Sequence, residues 1–531
     1  MIRSEASSRA RLAPAILTSI GAMALALSVT PAHAEPDRTS SDPVLVWIEQ
    51  SNRAIQETAA DPFRASRALA LESIAVLDTV RSIASAPGFL VRLSGPRDLK
   101  PTIATAAAAH TVLSRLFPAR RVALDQALSA SLAEEPAGPA RDRAVAFGKA
   151  VAEAVLARRE HDGWNATVSV ENGAASGQWR PTPPDFKPPE DPQWGSMTPF
   201  VMSKQNQFRP AGPPAPGSAA FREAAAAVAA MGAAQSAERT AEQTEIAHFW
   251  SDAAGTYGPA GHWNAIAASL VPSSGLGLEA EAELFAELNV AIADAGVAVA
   301  ETKYNYRFWR PITAIREGAA GALPNPEWSP LLTTPNHPSY VSGHSGFSGA
   351  AATVLTARLG VREFTSTDPG SPGVTRSFTS FQQAAEEVAM SREYGGVHYS
   401  FDNADGLAAG RAVGAWTLAA FHRIGEDRGP IIVMDPPSGP GQHRAQALEG
   451  FALDNFLPVR TVTARVDGGE RFNIAVDDRG RFTLPHLRPG QFGQAEAVLV
   501  ATSATGHAAI AKLMLDGGTP GSVVTVPFTV K

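Results

Sequence analysis

Through roughly the first 425 positions, apolar residues return every three or four places, the spacing of helices with one buried face. The stretch from Pro43 to Ala84 carries it most clearly in Arg67-Ala68-Leu69-Ala70-Leu71-Glu72-Ser73-Ile74-Ala75-Val76-Leu77-Asp78, and alanine-rich helical patterns follow at about 101–131 and 140–160. The spacing resumes at 219–251 and 277–310, then at 345–359, where Gly360 stops it, and at 378–392 and 396–424. Between 163 and 219 the prolines from Pro181 to Pro216 forbid long helices and predict an extended connection over a surface. After Gly429 the pattern changes: Thr461–Val466, Phe472–Val476, Phe482–Leu484, Ala497–Val500 and Val523–Phe528 are rich in β-formers and separated by glycine and aspartate turns. The expected fold is mainly α, with a helical domain over 40–427 and a small C-terminal β-rich module over 458–531.

The N-terminus follows a different rule. Arg3, Arg9 and Arg11 precede an apolar stretch from Ala15 to Val29 that ends in Pro31-Ala32-His33-Ala34, the layout of a signal peptide over residues 1–34. The stretch is shorter than the ~20 residues of a membrane span, so the expected product is exported, periplasmic or extracellular, beginning near Glu35. No later stretch reaches spanning length without charges. The formal charge of −7 and the lack of a long basic tract argue against a nucleic-acid surface. With no cysteine, disulfides, thiolate metal sites and thiol nucleophiles are excluded, so the chemistry rests on oxygen and nitrogen groups.

Three clusters combine cationic or imidazole side chains with glycine or helix-terminal backbone. In Lys303-Tyr-Asn-Tyr-Arg-Phe-Trp-Arg310-Pro311, a spacing of seven is two helical turns, which places Lys303 and Arg310 on one face ~10 Å apart. Pro311 predicts the helix end at Arg310. Alone, such a pair also fits a solvated face. In His337-Pro-Ser-Tyr-Val-Ser342-Gly343-His344, a Ser-Gly-His entering a helix offers a hydroxyl and free backbone N–H groups to an oxyanion, with His344 beside it to move a proton. In Ser391-Arg392-Glu-Tyr-Gly-Gly-Val-His398-Tyr-Ser-Phe-Asp402, a carboxylate four residues after a histidine, on one helix face, can hold Nδ1–H and leave Nε2 available, while Arg392 adds a third cation.

Taken in order, Lys-x6-Arg-Pro, Ser-Gly-His and Ser-Arg-x3-Gly-x-His-x3-Asp resemble the three-part signature of the superfamily containing vanadium-dependent haloperoxidases and type 2 phosphatidic acid phosphatases. Val341 stands where that signature usually has proline. Phe308-Trp309-Arg310-Pro311-Ile312, the helix around Asp294-Ala295-Gly296, Phe249-Trp250-Ser251-Asp252 and the helix around Arg67–Asp78 extend the resemblance toward soluble bacterial haloperoxidases over about residues 43–425, a helical-bundle fold.

The resemblance implies a vanadate cofactor held by Lys303, Arg310, Ser342, Gly343 and Arg392, with His398 as the metal ligand, Asp402 orienting it, and His344 taking a proton from hydrogen peroxide. Hydrogen peroxide and halide are the implied small-molecule partners. His337 matches a second active-site histidine of bromoperoxidases and tilts the expectation from chloride toward bromide or iodide, while Asp252 corresponds either to the carboxylate that pairs with His344 in relatives or to a solvated residue at a helix end. Ala300 departs from the bulky residue expected three places before Lys303. Two other functions remain open at this stage. One is an acid phosphatase with phosphate as the substrate group, no cofactor and a phosphohistidine at His398. The other is an exported oxyanion-binding protein without activity. Homo-oligomerisation is left open.

Overall fold

Asp-Pro pairs set where the first helices begin. The computed structural model describes residues 42–422 apart from 134, 320, 322 and 323, and beyond them 431–434, 448–453, 461–466, 472–476, 481–484, 494–502, 508–516 and 523–526. The signal-peptide segment 1–34 lies outside the described residues. Helices α1 (Pro43–Thr58) and α2 (Pro62–Ile83) each have an aspartate at the N-cap, Asp42 or Asp61, accepting hydrogen bonds from two first-turn N–H groups. The single helical stretch expected over 43–84 is therefore two helices, divided where Ala59 turns left-handed at φ 49°. Likewise Phe117-Pro118 divides the next pattern into α3 (Pro101–Leu116) and α4 (Arg121–Ala133), followed by α5 (Pro139–Arg158).

Three further helices follow the proline-rich connection, α6 (Ala219–Met231), α7 (Ala241–Phe249) and α8 (Gly258–Leu270), the last absent from the sequence expectation. The 29-residue α9 (Leu278–Tyr306) is buried around nearly its whole circumference and runs through the core, against α2. Short α10 (Pro311–Arg316), α11 (Gly343–Leu359), α12 (Phe381–Tyr394) and α13 (Ser400–His422) complete the bundle, with α11 and α13 packed on α9 and on each other. Between α11 and α12 lies an unexpected hairpin, β1 (Phe364–Thr367) paired with β2 (Thr375–Phe378). No described helix is long and apolar enough to cross a membrane.

Two features of this packing position the site. A Cβ on Gly410 would lie 2.1 Å from the Gly346 carbonyl oxygen, so α13 and α11 approach at a distance only glycine permits. Ser342 N–H donates to the Asp402 carbonyl at 3.0 Å, joining the start of α11 to the first turn of α13. The proline-rich connection is extended as expected, apart from a 3₁₀ turn at Pro192–Ser196. It is pinned to α9 by Asp294, whose carboxylate accepts the N–H groups of Phe200, Val201 and Met202 at 2.6, 2.9 and 2.9 Å.

Among the described residues, eight strands follow α13: β3 (Ile431–Met434), β4 (Leu448–Leu453), β5 (Thr461–Val466), β6 (Phe472–Ile474), β7 (Arg481–Leu484), β8 (Gln494–Thr502), β9 (Ala508–Asp516) and β10 (Val523–Val526). They form an antiparallel sheet in the order β10-β9-β8-β5-β6 and another in the order β3-β4-β7. Strands β3 and β4 precede residue 458, and β4 pairs with β7 across it.

Candidate active site

One cavity of about 400 Å³ collects residues from every predicted cluster. Lys303, His337, Gly343, His344, Arg392, His398 and Asp252 line it. Arg310 reaches His337 and His398 with hydrogen bonds of 2.9 and 3.1 Å, and Asp402 holds His398. Ser342 is the N-cap of α11, and its buried hydroxyl is engaged by Ser345 Oγ at 2.9 Å beside Gly343. A Cβ on Gly343 would meet only a Val299 methyl, at 3.8 Å, so the fold itself does not demand glycine there.

Two expected arrangements are corrected. Lys303 and Arg310 do not share a helix: α9 ends at Tyr306, and Arg307 is left-handed at φ 48°. Backbone pairing draws the chain away, with Trp179 N–H donating to Arg307 and Trp309 N–H to Gly177. Arg310 becomes the N-cap of α10 and still enters the site. Nor do His398 and Asp402 lie on one helix face. His398 precedes α13, and their 2.9 Å bond closes across the helix start, where Asp402 Oδ2 also accepts from Ser339 Oγ and the Tyr399 N–H.

The three cations are buried, at 0% exposure for Lys303 and Arg310 and 3% for Arg392. Among the described residues none has an ion pair within 4.0 Å. Lys303 Nζ donates to the carbonyls of Pro338 and Ser339 at 2.7 and 3.0 Å. Arg310 also donates Nε–H to the His337 carbonyl and Nη1–H to the Val397 carbonyl, both at 2.8 Å. Arg392 donates to the Trp250 carbonyl at 3.2 Å, and its buried Nε–H has no partner. Burial, then mutual repulsion, pushes Lys303 well below its ordinary range and Arg310 down to about 9, while burial takes Arg392 down to about 10.

Buried cations without counter-ions, with an N–H left over, fit a multiply charged tetrahedral oxyanion. The same forces keep the imidazoles neutral. Burial, then Arg310, Lys303 and Arg392, lower His398; burial, then Arg392, lower His344; burial, then Lys303 and Arg310, lower His337. Asp402 accepts from His398 Nδ1–H, so His398 Nε2 carries the lone pair, which accepts from Arg310. His337 Nδ1 also accepts from Arg310 and must carry its proton on Nε2. Burial raises Asp402 to about 6 against the pull of Ser339 and Lys303.

Asp252 Oδ2 lies 4.0 Å from His344 Nε2, while Ser251 O is 3.3 Å from that nitrogen. Ala300 is buried and outside the cavity lining; the turn at Gly195 packs over it, so close that a Cβ there would sit 2.8 Å from Glu301 Cα. Sequence reasoning missed Phe63, Phe347, Glu190 and Ser251 in the lining. Phe63 and Phe347 belong to helix stripes where an aromatic reads as core, and Glu190 sits in the aperiodic connection, where no spacing marks it.

The model described as the VCPO second helical-bundle domain matches residues 283–427. The vanadium chloroperoxidase of Curvularia inaequalis is 24% identical over 500 residues, covering 70% of this chain and 80% of the relative. The vanadium-dependent bromoperoxidase of Ascophyllum nodosum is 34% identical over 119 residues, 19% of this chain and 21% of the relative. A crystal structure of a bacterial vanadium-dependent iodoperoxidase superposes with a TM-score of 0.64 at 27% identity, over 73% of this chain and 97% of that one. A holo-type bacterial vanadium-dependent chloroperoxidase shares the fold with a TM-score of 0.56 at 17% identity, over 68% of this chain and 93% of that one. A bundle of this shape, closing on three unpaired buried cations and a carboxylate-held histidine, is similar in sequence and fold to the vanadium-dependent haloperoxidases.

Proposed function

We propose that the protein is an exported vanadium-dependent haloperoxidase that oxidises bromide or iodide with hydrogen peroxide. The observation that carries this reading is the set of buried, unpaired Lys303, Arg310 and Arg392 around a His398 whose Nε2 lone pair is fixed by Asp402. Lys303, Arg310, Arg392, Ser342 and Gly343 would hold vanadate through its oxygens, and His398 Nε2 would ligate the metal, replacing the contact with Arg310. Bound there, vanadate supplies a Lewis acid that activates peroxide toward halide.

The chain's own residues supply the rest. The cations neutralise the oxyanion in a buried setting where their field is little screened. His344, kept neutral, donates Nε2–H toward Ser251, which leaves Nδ1 to take a proton from peroxide. Phe63 and Phe347 give the cavity an apolar wall. The net reaction is X⁻ + H₂O₂ + H⁺ → HOX + H₂O: the O–O bond breaks, and halide loses two electrons to it. His337, held by Arg310 in the cavity lining, supports the tilt toward bromide or iodide. The basic residues, apolar stretch and Pro31-Ala32-His33-Ala34 support export.

The test is bromination of a phenolsulfonephthalein dye with peroxide and bromide, with and without orthovanadate, beside hydrolysis of a nitrophenyl phosphate. Vanadate-dependent bromination with negligible hydrolysis is expected; hydrolysis blocked by vanadate would assign an acid phosphatase instead.

A further inference from the structure

His262 lies outside the motifs and outside the lining of the cavity, yet it is 1% exposed and joined to the site through Asp252. Its Nδ1 is 3.0 Å from Asp252 Oδ1 and its Nε2 is 2.9 Å from Ser366 Oγ. A carboxylate only accepts, so Nδ1 carries the proton and Nε2 accepts from the serine hydroxyl. The ring is clamped by Trp250, stacked at 4.6 Å and 28°, and by the Phe249 edge at 5.5 Å. Asp252 itself has a left-handed backbone, φ 45°, a conformation that aspartate adopts more readily than most residues. Its other oxygen, Oδ2, is the one 4.0 Å from His344 Nε2.

We infer that His262 is a positioning residue for halide oxidation: anchored by Ser366 on β1, it fixes the Asp252 carboxylate so that Oδ2 faces His344. The inference rests on the proposed function for the role of His344. When His344 takes a proton, an Asp252 held in place stabilises the imidazolium, and an Asp252 free to rotate does so less well. The buried Asp368 carboxylate brings a third group within 4.8 Å, making a set with the outline of a metal site. Both His262 nitrogens already serve protein partners, so His262 acts as a hydrogen-bonded link, while the buried Asp368 oxygens have no hydrogen-bond partner among the described residues.

Two variants of the full-length protein separate the hydrogen bond from mere packing. His262→Ala should lower kcat for halide oxidation roughly tenfold or more, with halide KM and orthovanadate affinity held within about twofold. His262→Asn, whose amide N–H reaches the Nδ1 position, should recover most of the loss. Equal defects in both variants, or an unchanged kcat in His262→Ala, would overturn the inference.

A second readout does not depend on turnover. In ¹⁵N-histidine spectra of the vanadate-free protein, His262 should be Nδ1-protonated, and His262→Ala and Asp252→Asn should each shift the His344 ring signals. If neither does, the inference fails even if the wild type oxidises halide; if both do while the wild type does not, only the functional reading fails. A zinc-induced rise in Tm that His262→Asn removes would assign a metal site and overturn the inference.

Discussion

Burying a lysine and two arginines without carboxylate partners costs several kcal/mol per group, and removing one partner from such a site is felt strongly. An anion that binds only the folded state should therefore raise Tm, by the equivalent of about 2.7 kcal/mol at a hundredfold excess over Kd. Replacing Arg392, whose Nε–H is left over, should weaken orthovanadate binding roughly ten- to a hundredfold, the worth of one or two hydrogen bonds to a charged group. Calorimetric titration of Arg392→Ala measures it, and an unchanged Kd would remove Arg392 from the cage. Glu72 makes the opposite case. It is buried on α2 with one hydrogen bond, from Ser73 at 3.2 Å, and burial pushes it up to about 8 from an ordinary 4.5. Between those values the folded chain keeps a proton that the unfolded chain has lost. That stabilisation is complete below pH 4.5 and disappears as pH rises through 8. Glu72→Gln keeps the bond without the titration, so its Tm should exceed the wild type's at pH 9 and match it near pH 4.5; thermal scans across that range decide.

Elements bring these side chains together by devices that leave unequal traces in the sequence. Gly410→Ala would place a methyl 2.1 Å from the Gly346 carbonyl and push α11 from α13. The expected result is a loss of about 1–3 kcal/mol in stability, with weaker orthovanadate binding because Gly343 and His398 separate. Full affinity in a stably folded Gly410→Ala protein would show that the two helices do not set the cage. Asp294→Ala strips three consecutive amides of their acceptor, so hydrogen exchange at Phe200, Val201 and Met202 should rise in mass spectrometry while α3 stays protected. Most helices were readable because alanine and leucine repeat at helical spacing. The end of α9 was not, since Tyr306-Arg307-Phe308 keeps that spacing while tertiary pairing to Gly177–Trp179 ends the helix. Helix α8 opens on Gly258-Pro259-Ala260-Gly261 and the β1–β2 hairpin is short and Thr-rich, so periodicity has little to act on there.

Across the whole molecule, net-acidic and without cysteine, a few cations are reserved for one buried pocket. All ten residues read as site candidates lie in or against that pocket, because each motif carries its own backbone context: a proline, a helix start, a glycine turn. What spacing could not show is how the chain encloses it. Phe63 arrives from α2, Glu190 from the connection and Ser251 from beyond α7, through tertiary packing alone. The central claim, a vanadate-dependent halide oxidase, is tested most directly by titrating the metal-free protein with orthovanadate while following bromide- or iodide-dependent peroxide consumption. The account predicts activity that rises from near zero, saturates at one vanadate per chain, and is lost in His398→Ala. Oxidation at full rate without vanadate, or a saturated protein that leaves halide and peroxide unchanged, would contradict it.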